Sequence, residues 1–392
     1  MKNSWKILII AMISFITSTS EFVIVGVLDK IALSTQISIS EAGQLITVFA
    51  IASAIGTPIF IYFMRAMNLR KILLISLSFF VMGCLLMLIA PNYPLLLLSR
   101  IIMAFGVGVY NVLSFIVASK LAAPDKRAGA IATVTTGLNA ALIIGLPIGR
   151  IITAAFGWKA IFVSASVLCS LAIFMVAKFV PAFKGDKSVP FKAQFELLKS
   201  PKILLSLAMS FFWIVGYALL YSYITPYLKT TSSMNEQMLS LSFLVFGIAT
   251  LVGNKSGGFL GDRIGFTKTV LGSMAFNVIA LVLLSVLTGS FYITLTILVM
   301  WAVASWLPGP LLRYSIIELA PETPGVILSL YNSIIQFGFA IGAGLGGMEV
   351  ARMPIIMLSW SAAGMTTIAL LFAFIYSYRP MVLQPIRIRN DR

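Results

Sequence analysis

Histidine is absent from this chain, and cysteine nearly so: Cys84 and Cys169 are its two, and both lie inside apolar runs. Without histidine there is no imidazole for general-base catalysis or zinc ligation. Two cysteines within apolar segments build no disulfide framework and read as small core residues. Charge is also scarce. Asp, Glu, Lys and Arg make up 10% of the residues, against about 25% in a typical soluble domain. Acidic groups are the scarcest of these, 12 against 28 Lys and Arg. No cluster has metal-ligand spacing, no Gly-rich loop is set to cradle a phosphate, and no ATPase domain is present. These absences speak against an enzyme. Any work the chain does must draw on an ion gradient or on a substrate's own gradient.

What the chain has instead is apolar length. Of its 392 residues 60% are hydrophobic, and the mean hydropathy is +1.03. A helix needs roughly 20 mostly apolar residues to cross a bilayer. Apolar segments bounded by charge, Pro or Gly fall at about 7–28, 42–63, 72–90, 95–117, 129–152 and 159–180, and then at 204–227, 238–260, 269–289, 291–313, 324–347 and 354–378. The expected fold is an all-α polytopic membrane protein of twelve transmembrane helices. Ile7 to Leu28 is longer than a signal-peptide core and lacks an Ala-x-Ala-like cleavage site, so it reads as a retained first span. The longest polar stretch divides the chain into a first half, 1–180, a linker, 181–203, and a second half, 204–392.

A net charge of +16 would suit nucleic acid, but the basic residues form no groove-lining stripe. They sit in short connections between apolar runs, as the loops on the cytoplasmic side of a membrane protein do. With the N-terminus inside, cytoplasmic ends and loops hold 22 of the 28 basic residues, while Lys30, Lys159, Lys229 and Arg352 lie outside and Arg100 and Arg150 within spans. The expectation is a multi-pass protein of the plasma membrane, bacterial inner membrane in type, with both termini cytoplasmic.

The halves also repeat. Gly145 and Gly149 of span 5 recur 197 residues later as Gly342 and Gly346 of span 11, and the basic loop after span 2 (Arg65, Arg70, Lys71) recurs after span 8 as Arg263 and Lys268. Parallel repeats about an axis along the membrane normal build one large class of transporters.

Against this background the stretch GGFLGDRIGFTK, Gly257 to Lys268, resembles the loop signature of the major facilitator superfamily. In it Gly258 would let helices approach, Gly265 would allow a tight turn, and Asp262 with Arg263 would form a cytoplasmic gate latch. The first-half copy keeps the basic residues and loses the Asp. LLLLSRIIMAFGVG, Leu95 to Gly108, is similar to the intramembrane Arg motif, with Arg100 as its Arg. The stretch from Gly137 to Phe162 resembles the exporter-associated Gly-Pro motif, in which Gly145, Pro147 and Gly149 would bend the helix. TSTSEFVIVGVL, Thr17 to Leu28, is similar to the first span of the sugar, purine and drug efflux sub-branch of the drug:proton antiporters, with Asp29 where that sub-branch usually has Pro. The resemblance implies the major facilitator fold, two six-helix parallel repeats, and a proton-coupled antiporter moving small organic molecules by alternating access.

Charges inside spans cost about 2.5–3.5 kcal/mol at the helix centre on insertion scales, so each is a functional candidate. Glu21 and Arg100 lie at matched depth, roughly 10 Å below the outer surface at ~1.5 Å per residue. Glu21 reads as the proton-carrying carboxyl with Arg100 as its partner; the plainer role is a structural ion pair between spans 1 and 4. Asp29 falls at the outer lip, as a proton group or a solvated helix end. Arg150 would attract an anionic substrate, balance Glu21 or snorkel to the interface. Asn111, Asn139, Asn332 and Gln336 are polar at mid-depth, with substrate contact and interhelical hydrogen bonding both open. Tyr217, Tyr221 and Tyr223, with Trp301 and Trp306, would line an aromatic cavity or anchor the helices in lipid. No cofactor or metal is expected. The implied partners are protons, a small organic substrate and the lipid bilayer, with no nucleic acid and the protein a monomer. Rival readings are an uptake symporter or lipid flippase of the same fold, and a non-transporting membrane sensor.

Overall fold

In hydrocarbon no water is at hand for a free N–H or C=O, so a spanning segment must satisfy its backbone internally. Helices do this within one segment. The computed structural model describes residues 4–64, 67–123, 127–183, 198, 200–287, 289–320 and 324–378, and every regular element among them is helical. Twelve of these described helices are long and apolar enough to cross a bilayer: spans 1 to 6 are Ser4–Thr35, Ile39–Met64, Leu69–Ile89, Tyr93–Leu121, Gly129–Phe156 and Lys159–Phe179. Spans 7 to 12 are Pro201–Tyr221, Glu236–Ile264, Phe266–Val286, Phe291–Leu319, Leu330–Arg352 and Met357–Ser377. Each coincides with an apolar segment read from the sequence. The expected seventh segment divides, because a separate helix, Ile224–Ser232, follows Tyr221. Most of the expected linker, together with Arg65, lies outside the described residues.

Short polar links start the helices. Ser38 and Glu41 form a reciprocal cap at span 2, the Ser38 N–H donating to Glu41 Oε2 at 2.8 Å and the Glu41 N–H to Ser38 Oγ at 3.1 Å. Asn68 accepts from the Lys71 N–H at 2.8 Å at the head of span 3, and Asn92 from the Leu95 N–H at 3.1 Å at the head of span 4.

Two compact units result. The first holds spans 1 to 6 with the segments Ile224–Pro226 and Asn235–Leu244; the second holds span 7, the rest of span 8 from Val245 on, and spans 9 to 12. Within the first, span 5 lies against span 1 through its glycines. A Cβ on Gly145 would come 2.6 Å from Thr19 Oγ1, one on Gly149 would collide with Val23, and one on Gly137 with the carbonyl of Ala11. Within the second, span 11 lies against span 7 in the same manner: a Cβ on Gly342 would collide with the Val215 carbonyl, and one on Gly346 would come 2.7 Å from the Leu219 carbonyl. The repeat seen in the sequence is thus a repeat of helix packing, small residues letting backbones meet where lipid gives no hydrophobic drive.

Span 5 is also interrupted. Residues Ala141–Gly145 form a π-helical turn immediately before Leu146 and Pro147. Proline lacks the N–H of the regular ladder and crowds the carbonyl four residues back, and the wider turn takes up that conflict. Span 10 breaks similarly, its helix Phe291–Trp306 giving way to Gly309–Leu319 around Pro308.

Candidate functional site

Arg100 is among the most deeply buried polar residues, 1% exposed. Its Nε donates to the Leu45 carbonyl of span 2 at 3.2 Å, and its Nη1 and Nη2 to the Ser20 and Glu21 carbonyls of span 1 at 3.4 and 3.5 Å. The guanidinium lies 4.2 Å from the centre of the Phe49 ring. A carbonyl has two lone pairs, so Ser20 and Glu21 accept from Arg100 without losing their place in the helix. Arg100 and Glu21 therefore meet as matched depth suggests, but through the main chain. Among the described residues the half-buried Glu21 carboxylate makes neither an ion pair nor a hydrogen bond, while the Arg100 charge remains within electrostatic reach of it. A buried cation held only by neutral carbonyls favours an anion nearby. Glu21 is the carboxylate so placed.

Span 1 is not continuous. At Val27 the backbone leaves the helical region, with φ −126° and ψ 17°. Such a break frees carbonyls on its N-terminal side, and in a membrane they need other donors. Arg150 Nη1 donates to the Gly26 carbonyl, and Thr225 Oγ1 to the Val25 carbonyl at 2.8 Å. Arg150 Nη2 also pairs with Glu236, whose other oxygen is 3.1 Å from Lys30 Nζ. Phe243 stands beside the Arg150 guanidinium at 5.8 Å. The acidic partner of Arg150 is thus Glu236 rather than Glu21. Asp29 is half-buried just past the break.

In the second unit Tyr217 and Tyr221, one turn apart on span 7, have ring centres 4.8 Å apart and 19° between planes. Trp301, Trp306, Phe246 and Phe339 surround Tyr217 and Tyr221. Tyr223 faces elsewhere and is satisfied, its hydroxyl donating to the Ala343 carbonyl at 3.1 Å.

Comparison with known proteins gives this geometry a family. The model of the Major Facilitator Superfamily matches residues 10–343. The chain belongs to that superfamily. A protein described as an uncharacterized MFS-type transporter, YbcL of Bacillus subtilis (strain 168), is 40% identical over 363 residues, covering 93% of each chain. The crystal structure of a bacterial homolog of the human lysosomal transporter Spinster, inward-facing and unoccupied, superposes with a TM-score of 0.73 at 18% identity, covering 96% of this chain and 97% of that one. The superfamily and its fold make this chain a multi-pass membrane transporter and not an enzyme.

The superfamily's loop signature is built here with a shifted register. A Cβ on Gly258 would meet nothing within 4 Å, whereas one on Gly257 would collide with the Leu307 carbonyl of span 10 and one on Gly261 with Leu311. The close approach expected of Gly258 therefore falls to its neighbours, one residue and one turn away. Gly265 has φ +86°, which side chains rarely adopt, and it starts span 9. Its first-half counterpart, 197 residues earlier, is the helix cap Asn68. Asp262 and Arg263 are exposed at the end of span 8, with Asp262 near Tyr314, whose hydroxyl donates to Glu318 at 2.5 Å.

Of the mid-depth amides, Asn111 has a buried Oδ1 without a hydrogen bond among the described residues, Asn139 and Gln336 are half-buried, and Asn332 is exposed. Sequence reasoning passed over the span 1 break, Glu236, Phe246 and Asn277, which donates to Ser305 Oγ at 2.9 Å. A carboxylate one residue after Asn235 at the head of a span was the available signal for Glu236. Nothing local marks Val27.

Proposed function

We propose that this superfamily transporter is a proton-coupled antiporter that exports a small organic molecule by alternating access, with Glu21 as its proton-carrying carboxyl. One observation carries the reading: the Glu21 carboxylate is free of hydrogen bonds among the described residues, yet lies beside a buried Arg100 that is anchored by backbone carbonyls. A carboxyl locked in a bidentate pair could not exchange its proton readily, whereas one sensing a fixed cation can release its proton when substrate binds and take one up again when substrate leaves, so that the two compete. The resemblance of Thr17 to Leu28 and of the Gly-Pro stretch to the sugar, purine and drug efflux sub-branch supports export. Asp29 would act as an outer proton relay, and Asn111, Asn139, Asn332 and Gln336 as polar contacts along the substrate route. Asp262, Arg263 and the turn at Gly265 would close the cytoplasmic end. Both termini face the cytoplasm in this reading, the protein works as a monomer, and it resides in the bacterial cell membrane.

The test is the direction of proton movement. Purified protein is reconstituted in liposomes with an entrapped pH dye, and candidate compounds from a thermal-shift screen are presented on one side. Antiport moves protons against the substrate flow. Proton movement along with the substrate would make the protein a symporter, and substrate or lipid movement with no proton signal would make it a facilitator or flippase; either result refutes the proposal.

A further inference from the structure

The rings around Tyr217 leave an unusual number of donors unused. Tyr217 is 5% exposed, Tyr221 1% and Trp301 0%. Among the described residues, the hydroxyls of Tyr217 and Tyr221 and the indole N–H groups of Trp301 and Trp306 are all buried without a hydrogen bond. The Tyr217 hydroxyl lies near that of Tyr221 and near Trp306 Nε1, but neither approach has the geometry of a formed hydrogen bond. Comparable side chains close by show what satisfaction looks like here: Trp213 Nε1 donates to the Ser305 carbonyl at 3.0 Å, and Tyr227 Oη to the Leu284 carbonyl at 2.9 Å. A buried donor with no acceptor destabilises the fold, and an indole N–H can do nothing but donate. Four in one cluster are a recognition surface in want of oxygen acceptors.

The ring geometry specifies the rest of the partner. Tyr217 lies nearly parallel to both Tyr221 and Trp301, at 19° and 27°, and Tyr221 nearly parallel to Phe246 at 22°. These ring contacts leave the polar edges of the rings as the hydrogen-bonding surface of the cluster. A flat ring system extends such a series naturally at the offset spacings seen here, 4.8 to 5.7 Å between centres. Among the described residues no charged side chain lies over these rings, so an ionic guest would be buried without a counter-charge.

We infer that the aromatic cluster of spans 7, 8, 10 and 11 binds neutral, planar aromatic molecules that carry carbonyl or ether oxygens, the Tyr and Trp edge donors meeting those oxygens. The inference rests on the transporter reading above and gives its substrate a chemical class.

Binding is measured by titration calorimetry on the purified full chain with three probes of similar size. Flavone has the ring system and the oxygens, 2-phenylnaphthalene has rings alone, and N-methylacridinium has rings and a positive charge. Expected is saturable flavone binding at least about tenfold tighter than either control, because several hydrogen bonds are at stake. Tyr217→Phe and Tyr221→Phe should each weaken flavone by about three- to tenfold, the worth of one hydrogen bond. The same variants, lacking an unpaired buried hydroxyl, should melt no lower than the parent without ligand. Equal affinity for flavone and 2-phenylnaphthalene, unchanged flavone affinity in the Phe variants, or lost affinity accompanied by a lower melting temperature would each overturn the inference. Failure of flavone to bind while another compound is carried in a Glu21-dependent manner would sink the substrate class and leave proton coupling standing.

Discussion

Arg150 shows how one side chain can be explained without a substrate. It is 4% exposed, it donates to the carbonyl freed by the break at Val27, and it holds Glu236, which in turn holds Lys30. Removing one member of a buried pair is costly because the other is left charged and unpaired. Glu236 is itself partly exposed, with 41% of its side chain accessible, so solvent screens some of that loss. Glu236→Gln should therefore lower stability by about 1–2 kcal/mol, read as a lower melting temperature in detergent. Arg150→Met combined with Glu236→Gln should cost less than the sum of the two single changes, since the pair is coupled. Additive losses in this cycle would show that the contact contributes nothing. The sequence placed Arg150 in a span and so marked it as unusual, but its three open roles could not be resolved from a single chain position. Its partners come from span 1 and from the head of span 8, 86 residues away in sequence, and no local pattern encodes such a meeting. Glu21 and Arg100 were legible for the opposite reason: in a chain this apolar, an intramembrane charge stands out by itself, and helix rise alone gives its depth.

Among the helices, apolar length and charge-bounded ends were enough to find all twelve spans, because a bilayer permits few other uses for such segments. The faces on which helices touch were harder to read. The loop signature pointed to Gly258 as the contact, and the structure uses Gly257 and Gly261. Adjacent residues on a helix point about 100° apart, so a motif fixes the neighbourhood of a contact but not which of two adjoining glycines faces the partner. The difference is measurable. Gly257→Ala would drive a methyl group into the Leu307 carbonyl and should cost stability or folded yield, by about 1–3 kcal/mol for an overpacked helix contact. Gly258→Ala has open space and should be neutral or stabilising by up to about 1 kcal/mol through lower backbone entropy in the unfolded chain. Thermal denaturation followed by size-exclusion chromatography would separate the two variants, and equal melting temperatures would contradict the assigned faces. The span 1 break at Val27 left no trace in the sequence; it lies in a run of apolar residues with Gly26 beside it. It becomes intelligible only when the donors that receive the freed carbonyls are seen.

For the molecule as a whole, the repeat of Gly145 and Gly149 as Gly342 and Gly346 was visible as a spacing, and it corresponds to span 5 on span 1 and span 11 on span 7. The two units share a packing plan but differ in chemistry. The first carries the buried arginines and Glu21, and the second carries the aromatic cluster with its unused donors. This division is the physical basis for assigning proton exchange to one unit and recognition of a flat organic molecule to the other. Basic loops set the expected orientation, so a fluorescent reporter fused to the C-terminus should light up and a periplasm-dependent phosphatase fused there should stay inactive. The reverse pattern would invert the membrane assignment. Proton exchange at Glu21 is the central claim, and transport by Glu21→Gln in liposomes addresses it most directly. The variant should exchange substrate across the membrane when both sides contain it, and should lose all accumulation driven by a pH gradient. A Glu21→Gln protein that still concentrates substrate against its gradient as the parent does would contradict the claim.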